Sequence, residues 1–209
     1  GTVVIWIDGD GKQALYDGDS VRQEVKDLLA GGYAVLSADL LHQGEFLADG
    51  KPLSEQRKVA NERQVAAFTY AYNHTLFAQR VHDVLTLIAF VSQDDHGTKD
   101  IHLIATGSAG PVAAAARFQS GKVVSKAVID TGGFRFVDLK SWRDPQFLPG
   151  VVRYGDLPGL LALNAPQELC ILGEGDDIPT LTGDIYKIRG KAESVVTRPG
   201  LAEGLKWLE

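Results

Sequence analysis

Residues 100–118, DIHLIATGSAGPVAAAARF, restrict the possible folds more than any other part of the chain. Ile101, Leu103 and Ile104 suit a buried strand, and Pro111 with four alanines after Val112 suits the first turn and body of a helix. Between them, Ala105 to Gly110 must reverse the chain where only small side chains fit. A strand, a tight turn and a helix in immediate succession form one βα unit. Its turn presents a side chain, or a row of main-chain N–H groups, at the C-terminal edge of a sheet.

The remaining sequence repeats that alternation. Residues 3–7 (VVIWI) form a continuous apolar run of the kind seen in a parallel strand covered on both faces, and a turn signal, DGDGK, follows them. Residues 20–30 predict a helix with Ser20 as its N-cap and Gly31-Gly32 as its stop. Further strands are expected over 33–38, 123–129, 168–172 and 194–197. Further helices are expected from about Ala66, dominating over 73–93, and over 157–163, 178–189 and 201–208. The polar, aperiodic stretch 42–62 reads as a surface excursion, and 131–156, rich in Gly, Pro and aromatics, as an irregular cap. The pattern specifies an α/β class, a doubly wound and mostly parallel sheet with helices on both faces. Its ligand crevice lies beyond the C-terminal strand ends.

A chain of 209 residues can bury one good core, so a single domain is expected. The net charge of −6 and pI near 5.4 argue against a nucleic-acid partner. No apolar run has membrane-spanning length, and the N-terminus lacks the layout of a signal peptide. The sequence contains no Met and opens directly in a strand, which suggests a processed domain belonging to a longer chain. Cys170, the one cysteine, sits in an apolar run and reads as a buried thiol, so no disulfide or cysteine metal site can form within the chain. The acidic residues Asp8, Asp10, Asp17 and Asp19 lack the spacing and closing Glu of a calcium loop and read as a solvated turn. No cofactor or metal is implied.

The turn itself has three readings. A nucleophile elbow requires small residues two before and two after the nucleophile. Centred on Ser108 these are Thr106 and Gly110; centred one residue earlier they are Ala105 and Ala109, a better fit, but the attacking position is then Gly107. In a second reading, Ala105-x-Gly107-x-x-Gly110 is a dinucleotide fingerprint with its first glycine replaced, and Asp130 falls near the place of a ribose-binding acid. In a third, the small residues only let the helix pack on the strand.

The order of features resembles the α/β-hydrolase fold. VVIWIDGDG is similar to its third strand and oxyanion loop, YAVLSADLLHQGE to its fourth strand, and LIATGSAGP to its fifth strand with the elbow. The later segment DTGGFRFVDLKSWRDPQFLPGVVRYGDLPGLLALNAPQELCILGEGDD resembles bacterial acetyl xylan esterase-like and dienelactone hydrolase-like members. The resemblance covers nearly the whole chain and implies that the fold's first two strands lie before Gly1. It places the oxyanion loop at Gly9, Asp10 and Gly11, the catalytic acid at Asp176 (or Asp177), and the elbow at Gly107, Ser108 and Ala109. It also implies a small ester or carbohydrate ligand, with another domain of the same chain or a second copy as possible partners, and leaves an extracytoplasmic setting open.

Histidine decides more than the elbow does. A hydrolase triad runs nucleophile, acid, histidine along the chain, and the loop where that histidine belongs reads Thr197-Arg198-Pro199-Gly200. All five histidines (His42, His74, His82, His96 and His102) precede the elbow. Without a base, a serine hydroxyl stays protonated and weakly nucleophilic near neutral pH. The sequence therefore favours an eroded triad in a ligand-binding domain. The competing expectation keeps Ser108 as nucleophile, Asp176 as acid and His42 as a base borrowed from the loop after the second strand. Dinucleotide binding is the third.

Overall fold

The computed structural model describes residues 1–56, 73–93 and 97–208. The start of the helix expected from Ala66, the last part of the polar excursion and His96 lie outside the described residues. The chain opens with β1 (Thr2–Asp8), a short hairpin of β2 (Tyr16–Asp17) and β3 (Ser20–Val21), α1 (Gln23–Ala30) and β4 (Ala34–Leu36). It continues through α2 (Leu76–Ser92), β5 (Asp100–Thr106), α3 (Gly110–Gln119) and β6 (Lys126–Asp130). It ends with α4 (Asp156–Ala162), β7 (Glu168–Leu172), α5 (Thr180–Ile188), β8 (Val195–Arg198) and α6 (Leu201–Leu208). The main sheet has the order β4-β1-β5-β6-β7-β8, with every neighbouring pair parallel.

Alternation along β1 assigns its side chains to two cores. Val4 and Trp6 join Leu28 of α1 and Leu208 of α6 on one face. Ile5 and Ile7 join Val84 and Ile88 of α2 and Ala113 of α3 on the other. Because both faces are covered, the strand is apolar throughout, and each large side chain so buried contributes about 1.5–3 kcal/mol relative to exposure. The alanines of α3 do more than favour helix. Ala113 to Ala116 are all buried, so this helix lies flat against the sheet beneath the elbow.

Two expectations are corrected. Ser20 does not cap α1: its backbone pairs with Asp17 in the hairpin, and the helix begins at Gln23 with Arg22 in the N-cap position and no side-chain cap. The fourth expected strand starts later than residue 123. Val123 N–H bonds to Ser120 O in the turn closing α3, and the ladder with β5 begins at Lys126. Elsewhere the cap of residues 131–156 is irregular, as expected, with short 3-10 turns at Phe136–Asp138 and Val151–Tyr154. Phe136 stacks edge-on against Phe77 of α2 and Phe134, which anchors the cap above the strand ends.

Candidate functional site

β5 delivers its last residue, Thr106, to the sheet edge beside Asp8 of β1. Gly107 then takes φ +58°, and a 3-10 turn over Gly107–Ala109 leads into α3. That left-handed apex is the sharp reversal which a nucleophile elbow imposes, and here glycine adopts it without a steric penalty. Ser108, the next residue, is exposed and packs against the loop after β1. A Cβ on Gly9 would lie 2.4 Å from Ser108 Oγ and 2.6 Å from its main-chain nitrogen, so loop and elbow meet backbone to backbone. Gly110 has a packing duty as well. A Cβ there would sit 1.8 Å from Asp130 O, so this glycine lets α3 approach β6. Helix packing thus accounts for the fingerprint-like spacing, and the Asp130 carboxylate accepts from the main-chain N–H of Gly132 at 2.9 Å.

The N–H groups expected to form an oxyanion hole are turned onto their own chain. Gly9 N–H donates to Thr106 O at 3.1 Å, Asp10 N–H to Asp8 Oδ1 at 2.8 Å and Gly11 N–H to Asp8 O at 3.1 Å. The buried Gln43 fixes the same loop from outside, its Nε2 donating to Gly9 O at 2.8 Å. Asp39, at the end of the segment after β4, accepts from Lys12 N–H at 2.8 Å and Glu45 N–H at 3.2 Å, so it orients two loops at once.

These loops border a cleft of about 760 Å³. Ser108, His42, Gly9 and Asp10 line it together, whereas Asp176 does not. His42 is itself held at φ +58°, and its carbonyl accepts from Arg80 Nη2 at 3.2 Å. Lys12 crosses the rim to Glu45 at 2.9 Å, a bond that raises the Lys12 pKa above its ordinary value. Arg80, Asp144 and Gln146 complete the wall. No local motif identified these three, because they come from a helix and from the irregular cap and converge only in space. Gln43 escaped the sequence reading for the same reason.

Beyond β7, Asp176 is exposed, and its carbonyl accepts from the Thr197 hydroxyl at 3.0 Å. The engaged carboxylate on this loop is Glu174. It receives two bonds from Arg135, at 2.8 and 2.6 Å, and one from the Thr131 hydroxyl at 2.6 Å. Burial pushes the Glu174 carboxyl up, but Arg135 and Thr131 outweigh it, so the group lies below the usual carboxylate range. His74 and His82 border a separate groove on the outer side of α2 and α3, and His102 lies within β5. Ala109 is buried under the elbow.

No family model and no curated sequence matches this chain. Solved structures do resemble it. A candidate acetyl xylan esterase from Bacteroides fragilis NCTC 9343 superposes with a TM-score of 0.70 at 13% identity, over 95% of this chain and 58% of its own. A CE15 glucuronoyl esterase from Teredinibacter turnerae T7901 gives 0.57 at 13% identity, over 99% and 64%. A glucuronoyl esterase from Solibacter usitatus gives 0.63 at 16% identity, over 98% and 72%. The chain thus spans less than two thirds of the first two neighbours. The parallel sheet, the glycine-apexed elbow and the loops gathered at its C-terminal edge, together with these superpositions, establish that the chain has the α/β-hydrolase fold.

Proposed function

We propose that this domain binds a carbohydrate or small ester ligand in the cleft beside Ser108 and has lost the means to hydrolyse it. The observation that carries the proposal is Gly107 at the apex of the elbow, with φ +58° and no side chain to attack. Three further features agree with it. The loop after β8 holds no histidine, the oxyanion-loop N–H groups are spent on Asp8 and Thr106, and Glu174 is tied to Arg135 rather than free to orient an imidazole. Losing even one member of a triad removes several orders of magnitude in rate.

A second reading has one observation in its favour: Ser108 and His42 line the same cleft. In that reading Ser108 is an esterase nucleophile and His42 its base. Incubation with a fluorophosphonate probe and a short acyl ester separates the two. The expected result is neither labelling nor turnover. Labelling and turnover that vanish in Ser108→Ala would establish the second reading instead.

A further inference from the structure

Two cleft residues are almost wholly buried yet have hydrogen-bonding capacity to spare. Arg80 is 6% exposed; its Nε and Nη2 donate to the carbonyls of Leu41 and His42 at 2.9 and 3.2 Å, and Nη1 has no hydrogen-bond partner among the described residues. Gln146 is 9% exposed; its Nε2 donates to Ser108 O, and its Oε1 is buried without a partner. The first group can donate to a ligand, and the second is a buried acceptor without a donor. A hydroxyl group satisfies both, because it donates one bond and accepts others. A buried amide acceptor left unmet costs more than a made bond contributes, so the site favours a ligand that meets it.

The charges around these groups narrow the class. Lys12 already holds Glu45 at 2.9 Å and Asp39 at 3.7 Å, and Arg80 has Asp83 as its neighbouring carboxylate. Asp10 and Asp144, both in the lining, have no cationic partner among the described residues. Asp144 accepts the main-chain N–H of Gln146 at 2.8 Å, so its charge stands beside that residue's backbone. A ligand carboxylate entering here meets unbalanced negative charge.

We infer that the cleft selects uncharged, hydroxyl-bearing sugars over their uronic-acid counterparts, with Gln146 and Arg80 as the hydroxyl-reading groups and Asp10 and Asp144 as the charge filter. This selectivity rests on the carbohydrate reading above. Calorimetric titration with xylotetraose, and with the same tetraose bearing one glucuronic acid branch, tests it at low ionic strength. The neutral sugar binds about fivefold more tightly than the branched one, the size of one unit-charge repulsion at contact in water. The gap closes in 0.5 M salt and in the Asp10→Asn/Asp144→Asn double variant, because exposed charges are screened. Gln146→Leu weakens both sugars alike and keeps the gap. Equal or tighter binding of the acidic sugar by the wild-type domain would overturn the selectivity alone. Failure of both sugars to bind would overturn the carbohydrate reading and the inference with it.

Discussion

The Thr106 hydroxyl donates to Asp8 Oδ2 across 2.5 Å, joining the ends of β1 and β5 beneath the elbow. Trp6 Nε1 in turn donates to Thr106 Oγ1 at 3.0 Å, so a chain of polar contacts runs from the core to the site. The other carboxylate oxygen accepts Asp10 N–H. Asp8 is therefore a brace that shapes the loop at the expense of its N–H groups. Asp8→Ala leaves these donors without a partner and lowers stability by about 1–3 kcal/mol. Asp8→Asn keeps the Oδ1 acceptor and loses less. Urea unfolding of the two variants measures the difference, and equal midpoints would refute the bracing role.

The same carboxylate bears on what a serine at the elbow apex would do. A Cβ on Gly107 would meet only ordinary contacts, Gly9 N at 3.6 Å and Asp8 Oδ1 at 3.8 Å. Gly107→Ser is thus accommodated at about 1–2 kcal/mol, the penalty of left-handed backbone for a residue with a Cβ. Its hydroxyl lies within reach of Asp8 and has no imidazole in the loop after β8. The variant folds and remains unlabelled by a fluorophosphonate. Labelling at the rate of an active serine hydrolase would show that a base reaches the elbow.

The architecture was legible in the sequence because periodicity and burial coincide. Val4 and Trp6 against Ile5 and Ile7, and the alanines after Pro111, each match the layer into which they pack. Ser20 misled because a serine before an amphipathic run also suits a tight hairpin, and the turn at Gly18 claimed it first. The cleft was only half legible. Gly9, Asp10, His42 and Ser108 stand at strand ends, where topology dictates a crevice. Arg80, Asp144 and Gln146 reach it through tertiary packing, for which no spacing rule exists. On the β7 loop, the family resemblance points to Asp176, and Glu174, two residues earlier, is held by Arg135 from the cap, a contact that no local spacing announces.

His102 gives the fold an acid sensitivity. It is 5% exposed within β5, with Nδ1 buried and without a partner among the described residues, Asp100 at 3.8 Å from Nε2, Lys126 on the adjoining β6, Glu168 on β7 beyond it and the Tyr33 ring beside it. Burial lowers its pKa below the ordinary 6.5, and Asp100 offsets this only in part. The unfolded chain therefore takes up the proton first as pH falls. This contribution to stability is fully present above pH 6.5 and declines from there toward the lower pKa of the folded state. Urea midpoints at pH 7.5 and 5.5 fall further apart in the wild type than in His102→Leu. Equal separations would dismiss the assignment.

At the opposite edge of the sheet from the cleft, Arg117 at the end of α3 has no exposed surface. Its guanidinium donates to the carbonyls of Asn164, Val124, Ser125 and Glu168 and to Gln167 Oε1, at 3.0 to 3.4 Å. One cation thus ties the helix to the starts of β6 and β7. Its burial lowers the pKa to about 10, still high enough to keep it charged near neutral pH. The planar fork spans carbonyls that a single ammonium cannot reach together. Arg117→Met fills the volume but leaves those carbonyls buried and unmet, and it lowers stability by at least about 3 kcal/mol. Arg117→Lys recovers part of that loss. Both variants keep the cleft chemistry unchanged, because the site lies at the other end of the strands. Thermal melts that place Arg117→Met level with the wild type would show that the carbonyls find other donors.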